Sequence, residues 1–253
     1  MVKRLASSTP TARFEFIAAD LSSLAQVRVA AAEISARCAT IDLLINNAGA
    51  RFDHYERTAE GNERTFATNH LGHFLLTGLL LERLAACSTA RIINVTSSAA
   101  AQTRCDGPWQ FDSSTFDRRQ AYAKSKLANL LFTAELARRL EGGPIQCFAA
   151  DPGVVATRFA SNNGLLAWIK HVVSHGRKLE LQSASAGADT IIYLASSANL
   201  PAHTSGKCYR NRQPTTVSPT VNDSAARAVL WAVSVTLTGI DPRVIAKETH
   251  EAF

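Results

Sequence analysis

A tyrosine and a lysine stand four residues apart, at Tyr122 and Lys126, and this spacing places both side chains on one face of a helix. A free phenol has a pKa near 10, and a neighbouring ammonium group favours the phenolate and lowers that pKa toward the range useful for proton transfer. The pair alone is weak evidence, because the same spacing is common on solvated helix faces. The pair becomes informative only in combination with the other motifs of the sequence.

Polar and glycine-containing segments follow four predicted strands, which cover residues 13–19, 41–46, 90–96 and 144–150. Ligands of parallel α/β sheets bind outside the carboxyl ends of the strands, so these segments are candidates for a binding site. In chain order they are Asp20-Leu21, then Asn46 to Gly49, then Thr96, Ser97 and Ser98, and finally Asp151 to Thr157.

Helical patterns separate the strands. Ser22 or Ser23 is predicted to cap a helix whose apolar positions include Leu24 and Val27. Further helices are predicted at 61–86, 119–140, 164–175, 182–197 and 222–238, with a short strand at 206–210. This alternation predicts an α/β fold with helices on both faces of a doubly wound, mostly parallel sheet.

The set of motifs resembles the short-chain dehydrogenase/reductase family, in particular its retinol dehydrogenase and WW-domain oxidoreductase branch. The resemblance covers about residues 13–240. It is carried by TNHLGHFLLT (68–77), RIINVTSSAA (91–100), AYAKSKLANLLFTAELARRL (121–140), DPGVVATR (151–158), GKCY (206–209) and VSP (217–219).

The resemblance implies four catalytic residues. Tyr122 would give a proton to the substrate oxygen in reduction or accept it in oxidation, and Lys126 would lower the pKa of that phenol and hold the nicotinamide ribose. Ser98, rather than its neighbour Ser97, would hydrogen-bond the substrate carbonyl. Asn69 would hold a water that connects Lys126 to solvent, the alternative being an asparagine that merely packs in its helix.

The resemblance also implies a nicotinamide cofactor and the residues that contact it. Asp20 would accept a hydrogen bond from adenine; the alternative is an N-terminal cap of the helix that follows, and the two roles are compatible. The basic net charge of +6 suits a phosphorylated cofactor, so NADP(H) is expected rather than NAD(H). The expected contacts are Asp20, Leu21, Asn47, Ala48, Gly49, Tyr122, Lys126, Pro152, Gly153, Val155 and Thr157.

Residues 159–175 fall where this family keeps its substrate lid, and their apolar character favours a hydrophobic alcohol, aldehyde or ketone. The alternative is an ordinary amphipathic helix. By analogy with the family, a homodimer could form through the helices at 61–86 and 119–140.

One departure from the family is plain, because no glycine precedes Gly49. The family binds pyrophosphate on a Thr-Gly-x-x-x-Gly-x-Gly turn after its first strand. The strand at 13–19 matches the family's third strand, so the expectation is a Rossmann-type fold that is N-terminally incomplete, with the first two strands missing. A single domain, 1–253, would comprise a remnant of the cofactor-binding half (13–49), a catalytic core (61–158), a lid with helices (159–200) and a C-terminal strand and helix (201–253).

Three functions follow as hypotheses. The first is an NAD(P)-dependent oxidoreductase whose recorded sequence starts late, and the second is a non-catalytic relative that binds no cofactor. The third, a nucleic-acid binder, is disfavoured because no basic run reaches five residues.

Composition disfavours other classes of protein. Five scattered cysteines without a CxxC motif argue against disulfides or zinc and favour a cytoplasmic location. His171 and His175 have the spacing of a zinc protease motif, but Val172 stands where its glutamate should be, so no metal is expected. The longest apolar stretch, 74–81, is too short to span a membrane, and residues 1–12 lack the apolar region of a secretory signal.

Overall fold

The computed structural model describes residues 9, 11–103, 107–153, 155, 182–198, 200–201 and 203–241. The helices of this part of the chain are α1 (Leu24–Arg37), α2 (Gly72–Ala85), α3 (Arg118–Arg139), α4 (Ala184–Ser196) and α5 (Ser224–Thr238). The strands are β1 (Leu43–Asn46), β2 (Ala90–Val95), β3 (Ile145–Ala150), β4 (Cys208–Arg210) and β5 (Gln213–Pro214). An α-helical turn at Arg64–Phe66 and a π-helical turn at Ala67–Leu71 lead into α2, and 3-10 turns occupy Ser98–Gln102 and Pro219–Asn222.

The strands form one sheet in the order β1-β2-β3-β4-β5. The first four are parallel neighbours, and β5 pairs with β4 in the antiparallel direction. Asn46, Asn94 and Ala149 are aligned across β1, β2 and β3. The carboxyl ends of these strands therefore meet at one edge of the sheet, and the predicted parallel α/β fold is confirmed.

The sheet separates two apolar layers, because successive residues of a strand point to opposite faces. Ile92 and Cys147 belong to a large core with side chains of α1, α2, α3 and α5. Their sequence neighbours Ile93 and Phe148 belong to a smaller cluster with Leu194 of α4. Helices thus lie on both faces, as predicted.

The predicted strand at 13–19 is wrong, since these residues form no strand. A strand needs a partner for its backbone hydrogen bonds, and the described residues place none beside this segment. Phe16 is accordingly 68% exposed. The predicted helix at 164–175 and the proposed lid at 159–175 lie outside the described residues.

Most other boundaries agree with the prediction to within a few residues. Ser23 is the N-cap of α1, with its hydroxyl accepting from Gln26 N. The helix predicted at 61–86 contains the π-helical turn, and β5 was not predicted. Within the described parts, no helix combines the length and the apolar character needed to cross a membrane.

Helix α5 covers part of the face formed by α2 and α3. The ring of Trp231 contacts Phe74 of α2 and Phe132 of α3 at centroid distances of 5.2 and 6.1 Å, and Arg139 lies 4.1 Å from the centroid of the same indole. The buried carboxylate of Glu135 approaches Arg227 of α5 at 3.6 Å. A homodimer through these two helices stays a prediction, and α5 already occupies part of the surface that it would need.

We expect Trp231→Ala to lower the free energy of unfolding by about 3–5 kcal/mol, because it removes the ring that joins three helices. Val229→Ala on the same helix is the control, since Val229 is 56% exposed, and it should change stability by less than about 0.5 kcal/mol. Urea unfolding followed by circular dichroism measures both. Equal effects of the two substitutions would contradict this account of α5.

Candidate active site

A cleft of about 650 Å³ opens at the carboxyl ends of β1, β2 and β3. Segments that are distant in sequence meet there because parallel strands place their carboxyl ends together. It is lined by Asn47, Ala48, Gly49, Val95, Thr96, Tyr122, Lys126, Pro152, Gly153, Val155, Ala184, Gly187, Ala188 and Ile191. Eight of the eleven residues predicted to contact a cofactor are among them.

Lys126 is held at the base of this cleft. Its Nζ donates to the carbonyl of Val95 at 3.0 Å, and its own carbonyl accepts from Thr96 Oγ1 at 2.9 Å. The side chain is buried, and burial lowers the pKa of Lys126 to about 8. The ammonium is therefore less strongly favoured here than in water, and it faces a cleft that can admit a polar ligand.

Tyr122 lies one helical turn before Lys126, with Lys126 Nζ 5.9 Å from its ring centroid. The expected lowering of the phenol's pKa by Lys126 is not what the structure shows. Burial raises the pKa of Tyr122, and Asp151 adds to the rise, while a hydrogen bond with Ser97 and the charge of Arg51 oppose it. Desolvation disfavours the phenolate, so Tyr122 is kept as a neutral phenol.

Ser97, and not Ser98, is the serine at Tyr122. The side chain of Ser97 is hydrogen-bonded to Tyr122 and also accepts from Ala99 N at 3.3 Å. Ser98 begins the 3-10 turn and is exposed. Ser97 is thus the serine that contacts the phenol in this structure, and the role expected of Ser98 stays a prediction.

Asn69 lies in the π-helical turn that precedes α2, an irregularity that is frequent at functional sites. Its side chain clamps the backbone of Ala50, accepting from Ala50 N at 2.7 Å and donating to Ala50 O at 2.8 Å. It also donates to Ser125 Oγ at 2.9 Å. Its backbone carbonyl accepts from Asn129 Nδ2 and lies 3.0 Å from His73 Nδ1. Protein groups therefore already contact the carbonyl, and the water-holding role stays a prediction.

Two glycines let the cleft form. A Cβ at Gly49 would lie 3.2 Å from Lys126 Nζ, so a side chain there would crowd the ammonium. A Cβ at Gly187 of α4 would lie 2.4 Å from Val155 Cγ2, which shows how closely α4 approaches this loop. Both approaches need the absence of a side chain.

Two predicted cofactor contacts in the described part of the chain are not in the cleft. Asp20 is exposed and its Oδ1 accepts from Ser22 N at 2.8 Å, a hydrogen bond that lowers its pKa. This hydrogen bond lies before the helix, whose N-cap is Ser23, so Asp20 is not the cap that the sequence offered as an alternative to adenine binding. Leu21 packs against the large core. Thr157 lies outside the described residues.

Sequence reasoning missed several residues of the site. Val95 ends β2 and was not singled out, although its position at the strand end was a usable signal, whereas Thr96 after it was among the candidate segments. Four residues of α4 form a wall of the cleft, and no motif pointed to them: Ala184, Gly187, Ala188 and Ile191. No cluster of metal-binding side chains occurs within the described parts, and the pair His171 and His175 lies outside them.

Two buried histidines also escaped prediction. Burial lowers the pKa of His70 to about 4, with an opposing contribution from a hydrogen bond to Asn129. Burial, and then the charge of Lys126, lowers the pKa of His73 to about 3. Both rings are therefore neutral at physiological pH.

Comparison with known proteins agrees with this geometry. A profile of the family described as short chain dehydrogenase matches residues 1–165. Human retinol dehydrogenase 12 is 38% identical over 221 residues, which are 87% of this chain and 68% of that protein. The chain belongs to the short-chain dehydrogenase family. Human retinol dehydrogenase 13 is 37% identical over 227 residues, covering 88% of the chain and 68% of the relative.

Solved structures of short-chain dehydrogenases and related proteins share the fold. A crystal structure of an uncharacterised protein from Mycobacterium paratuberculosis has a TM-score of 0.71 and 34% identity, covering 94% of this chain and 81% of that one. The NADP active-site complex of Pseudomonas aeruginosa RhlG has a TM-score of 0.61 and 26% identity, covering 82% and 77%. Membership of this family supports an oxidoreductase that acts on CH-OH groups, and the family implies a nicotinamide cofactor.

The residues of the cleft fit one part of such a cofactor. Lys126 presents a three-donor ammonium group beside the space kept open by Gly49, an arrangement suited to ribose hydroxyls. No residues of this sequence are assigned to the pyrophosphate, since no glycine-rich turn stands before Gly49.

Stability should fall as the pH drops below about 6.5, the ordinary pKa of histidine. The folded-state pKa values of His70 and His73 are about 4 and about 3. The unfolded chain therefore binds protons that these rings do not, and their contribution is present above pH 6.5 and is lost as the pH falls. At pH 5 the loss is about 2 kcal/mol for each ring.

Urea unfolding at pH 7.5 and pH 5.0 measures this difference. His70→Gln should reduce the difference between the two free energies of unfolding by about 2 kcal/mol, which is the contribution of one ring. His54→Gln, in an exposed loop, should leave that difference unchanged. A free energy of unfolding that is the same at the two pH values would show that the rings are not buried as described.

Proposed function

We propose that the chain transfers a hydride between NADP(H) and a hydrophobic alcohol or its aldehyde or ketone. The single observation that supports this proposal is the convergence of Tyr122, Lys126, Gly49 and Gly153 on one cleft. The bound cofactor would supply or accept the hydride, while the protein orients the substrate and manages the proton. The homology to retinol dehydrogenases and the apolar wall from α4 support a hydrophobic substrate.

Tyr122 is the proton donor in this proposal. Because burial raises its pKa, the phenol keeps its proton at neutral pH and can give it to a developing alkoxide. That protonation state favours the reduction of an aldehyde or ketone over the oxidation of an alcohol. Ser97, hydrogen-bonded to Tyr122, would donate to the same substrate oxygen.

Lys126 would hold the ribose hydroxyls of the cofactor and contribute positive charge near Tyr122. Pro152, Gly153 and Val155 would contact the nicotinamide end, and Asn47 and Ala48 the adenosine ribose. NADP(H) is preferred to NAD(H) on the basic charge of the chain and on the NADP complex of the Pseudomonas relative. A cytoplasmic location also stays a proposal.

A second candidate function is a non-catalytic relative that binds no cofactor. The observation that favours it is the position of Asp20, a residue expected to contact adenine, outside the cleft. The two proposals make opposite predictions for cofactor binding, so one titration distinguishes them.

Tyr122→Phe should lower kcat for NADPH-dependent reduction of a hydrophobic aldehyde by about 10²- to 10⁴-fold, because it removes the proton donor and little else. Fluorescence titration should show saturable NADPH binding by both proteins, with dissociation constants within about threefold of each other. NADH titrated in parallel should bind more weakly. Substantial turnover by the variant would refute the role of Tyr122, and the absence of saturable binding by the unsubstituted chain would favour the non-catalytic function.

The two neighbouring serines offer a matched pair of substitutions. Ser97→Ala should lower kcat by about 10²- to 10³-fold, because it removes a donor to the substrate oxygen. Ser98→Ala should have an effect of less than about threefold, since Ser98 is exposed. Steady-state kinetics measures both, with thermal unfolding to verify that each variant is folded. The reverse order would restore Ser98 as the functional serine.

A further inference from the structure

A buried chain of hydrogen bonds connects the active site to α5. Asn129 lies one turn after Lys126 in α3, and its Nδ2 contacts two carbonyl oxygens, that of Asn69 at 3.0 Å and that of Val95 at 3.4 Å. The Val95 carbonyl is also the acceptor for Lys126 Nζ. Asn129 therefore holds the group that anchors Lys126.

The direction of each hydrogen bond follows from its chemistry. Carbonyl oxygens only accept, so the two contacts of Asn129 identify its donating nitrogen and leave Oδ1 toward His70 Nδ1, at 3.3 Å. An amide oxygen also only accepts, so His70 carries its proton on Nδ1. In the neutral ring, Nε2 is then an acceptor.

The acceptor Nε2 of His70 meets Ser234 of α5. Ser234 Oγ lies 2.8 Å from Nε2 and also 2.8 Å from the carbonyl of Leu230. The hydroxyl has one proton and is placed to donate either to the Leu230 carbonyl or to Nε2. Because the Leu230 carbonyl also accepts within the backbone of α5, donation to Nε2 leaves neither acceptor without a donor. The hydroxyl proton therefore points to His70.

We propose that Ser234, His70 and Asn129 are positioning residues that fix the Val95 carbonyl and, through it, the ammonium of Lys126. The catalytic meaning of this proposal rests on the role given to Lys126 in the proposed function. All three side chains are at most 1% exposed, so water does not compete for their hydrogen bonds. The C-terminal helix thereby becomes part of the support of the active site.

The alternative is that these three polar side chains only satisfy one another in the core. That alternative requires no particular tautomer of His70 and no effect on Lys126. The other titratable groups near Lys126 are His73, whose Nδ1 lies 3.0 Å from the Asn69 carbonyl, and Tyr122. Neither accounts for a change in Lys126 when Asn129 or Ser234 is altered.

The first test is the tautomer of His70, measured by NMR of the full chain with ¹⁵N-labelled histidine at pH 7. We expect a protonated Nδ1 and an Nε2 that accepts a hydrogen bond. Ser234→Ala should move the Nε2 signal toward that of a free imidazole nitrogen, and Thr236→Ala, an exposed position of α5, should leave it in place. A protonated Nε2 in the unsubstituted chain would overturn the proposal.

The second test is the titration of Lys126, followed by NMR of lysine labelled with ¹³C at Cε and assigned with Lys126→Arg. Asn129→Asp places a carboxylate beside the Val95 carbonyl and should move the Lys126 midpoint upward by about one pH unit. Asn222→Asp, at an exposed site, is the control and should leave the midpoint unchanged. A Lys126 midpoint that is the same in Asn129→Asp and Asn222→Asp would overturn the proposal. If Asn129→Asp does not fold, Ser234→Ala replaces it, and the Lys126 signal should also move in that variant.

Both measurements are made without cofactor or substrate. They can therefore fail while NADPH binding and turnover succeed, which would reject the positioning role alone. Conversely, a chain without NADPH binding could still show the expected tautomer and midpoint, and only the proposed function would then be rejected.

Discussion

The hydrogen bond from Lys126 to the carbonyl of Val95 is the interaction around which the active site is arranged. Burying an ammonium group is costly unless an acceptor satisfies it, and the Val95 carbonyl supplies that acceptor where β2 ends. Thr96 then donates to the carbonyl of Lys126, so the strand end and the helix are tied together in both directions. The spacing between sheet and helix that this pair sets also brings Lys126 Nζ close to Gly49.

Much of this arrangement could be predicted from the sequence, because it depends on local patterns and on one topological rule. The apolar run at 90–96 predicts a buried strand, and parallel strands bring Gly49, Thr96 and Pro152 to one edge. The strand at 13–19 shows the limit of such reasoning. A strand is stabilised by its neighbour, and nothing within residues 13–19 reveals whether a neighbour is present.

Other parts of the site depend on contacts that no local pattern encodes. Ser97 and Ser98 are identical in type and adjacent, and only the course of the backbone at the start of the 3-10 turn distinguishes them. Ile191 of α4 is far from the motifs in sequence, and its helical pattern predicts packing rather than a cleft wall. His70 fits the periodicity of the helix that contains it, so its polar contacts become visible only in three dimensions.

Burial moves the pKa values of the two central groups in opposite directions, and it acts in the same sense on their charge. It raises the pKa of the Tyr122 phenol and lowers that of the Lys126 ammonium, so both charged forms are disfavoured. The phenol therefore rests in its protonated form, from which the proposed reduction would start. The helix α5 adds to this environment, because it excludes water from His70 and Asn129 behind Lys126. The same helix covers part of the face formed by α2 and α3, so the surface that the expected homodimer would use overlaps the surface that supports the active site from within.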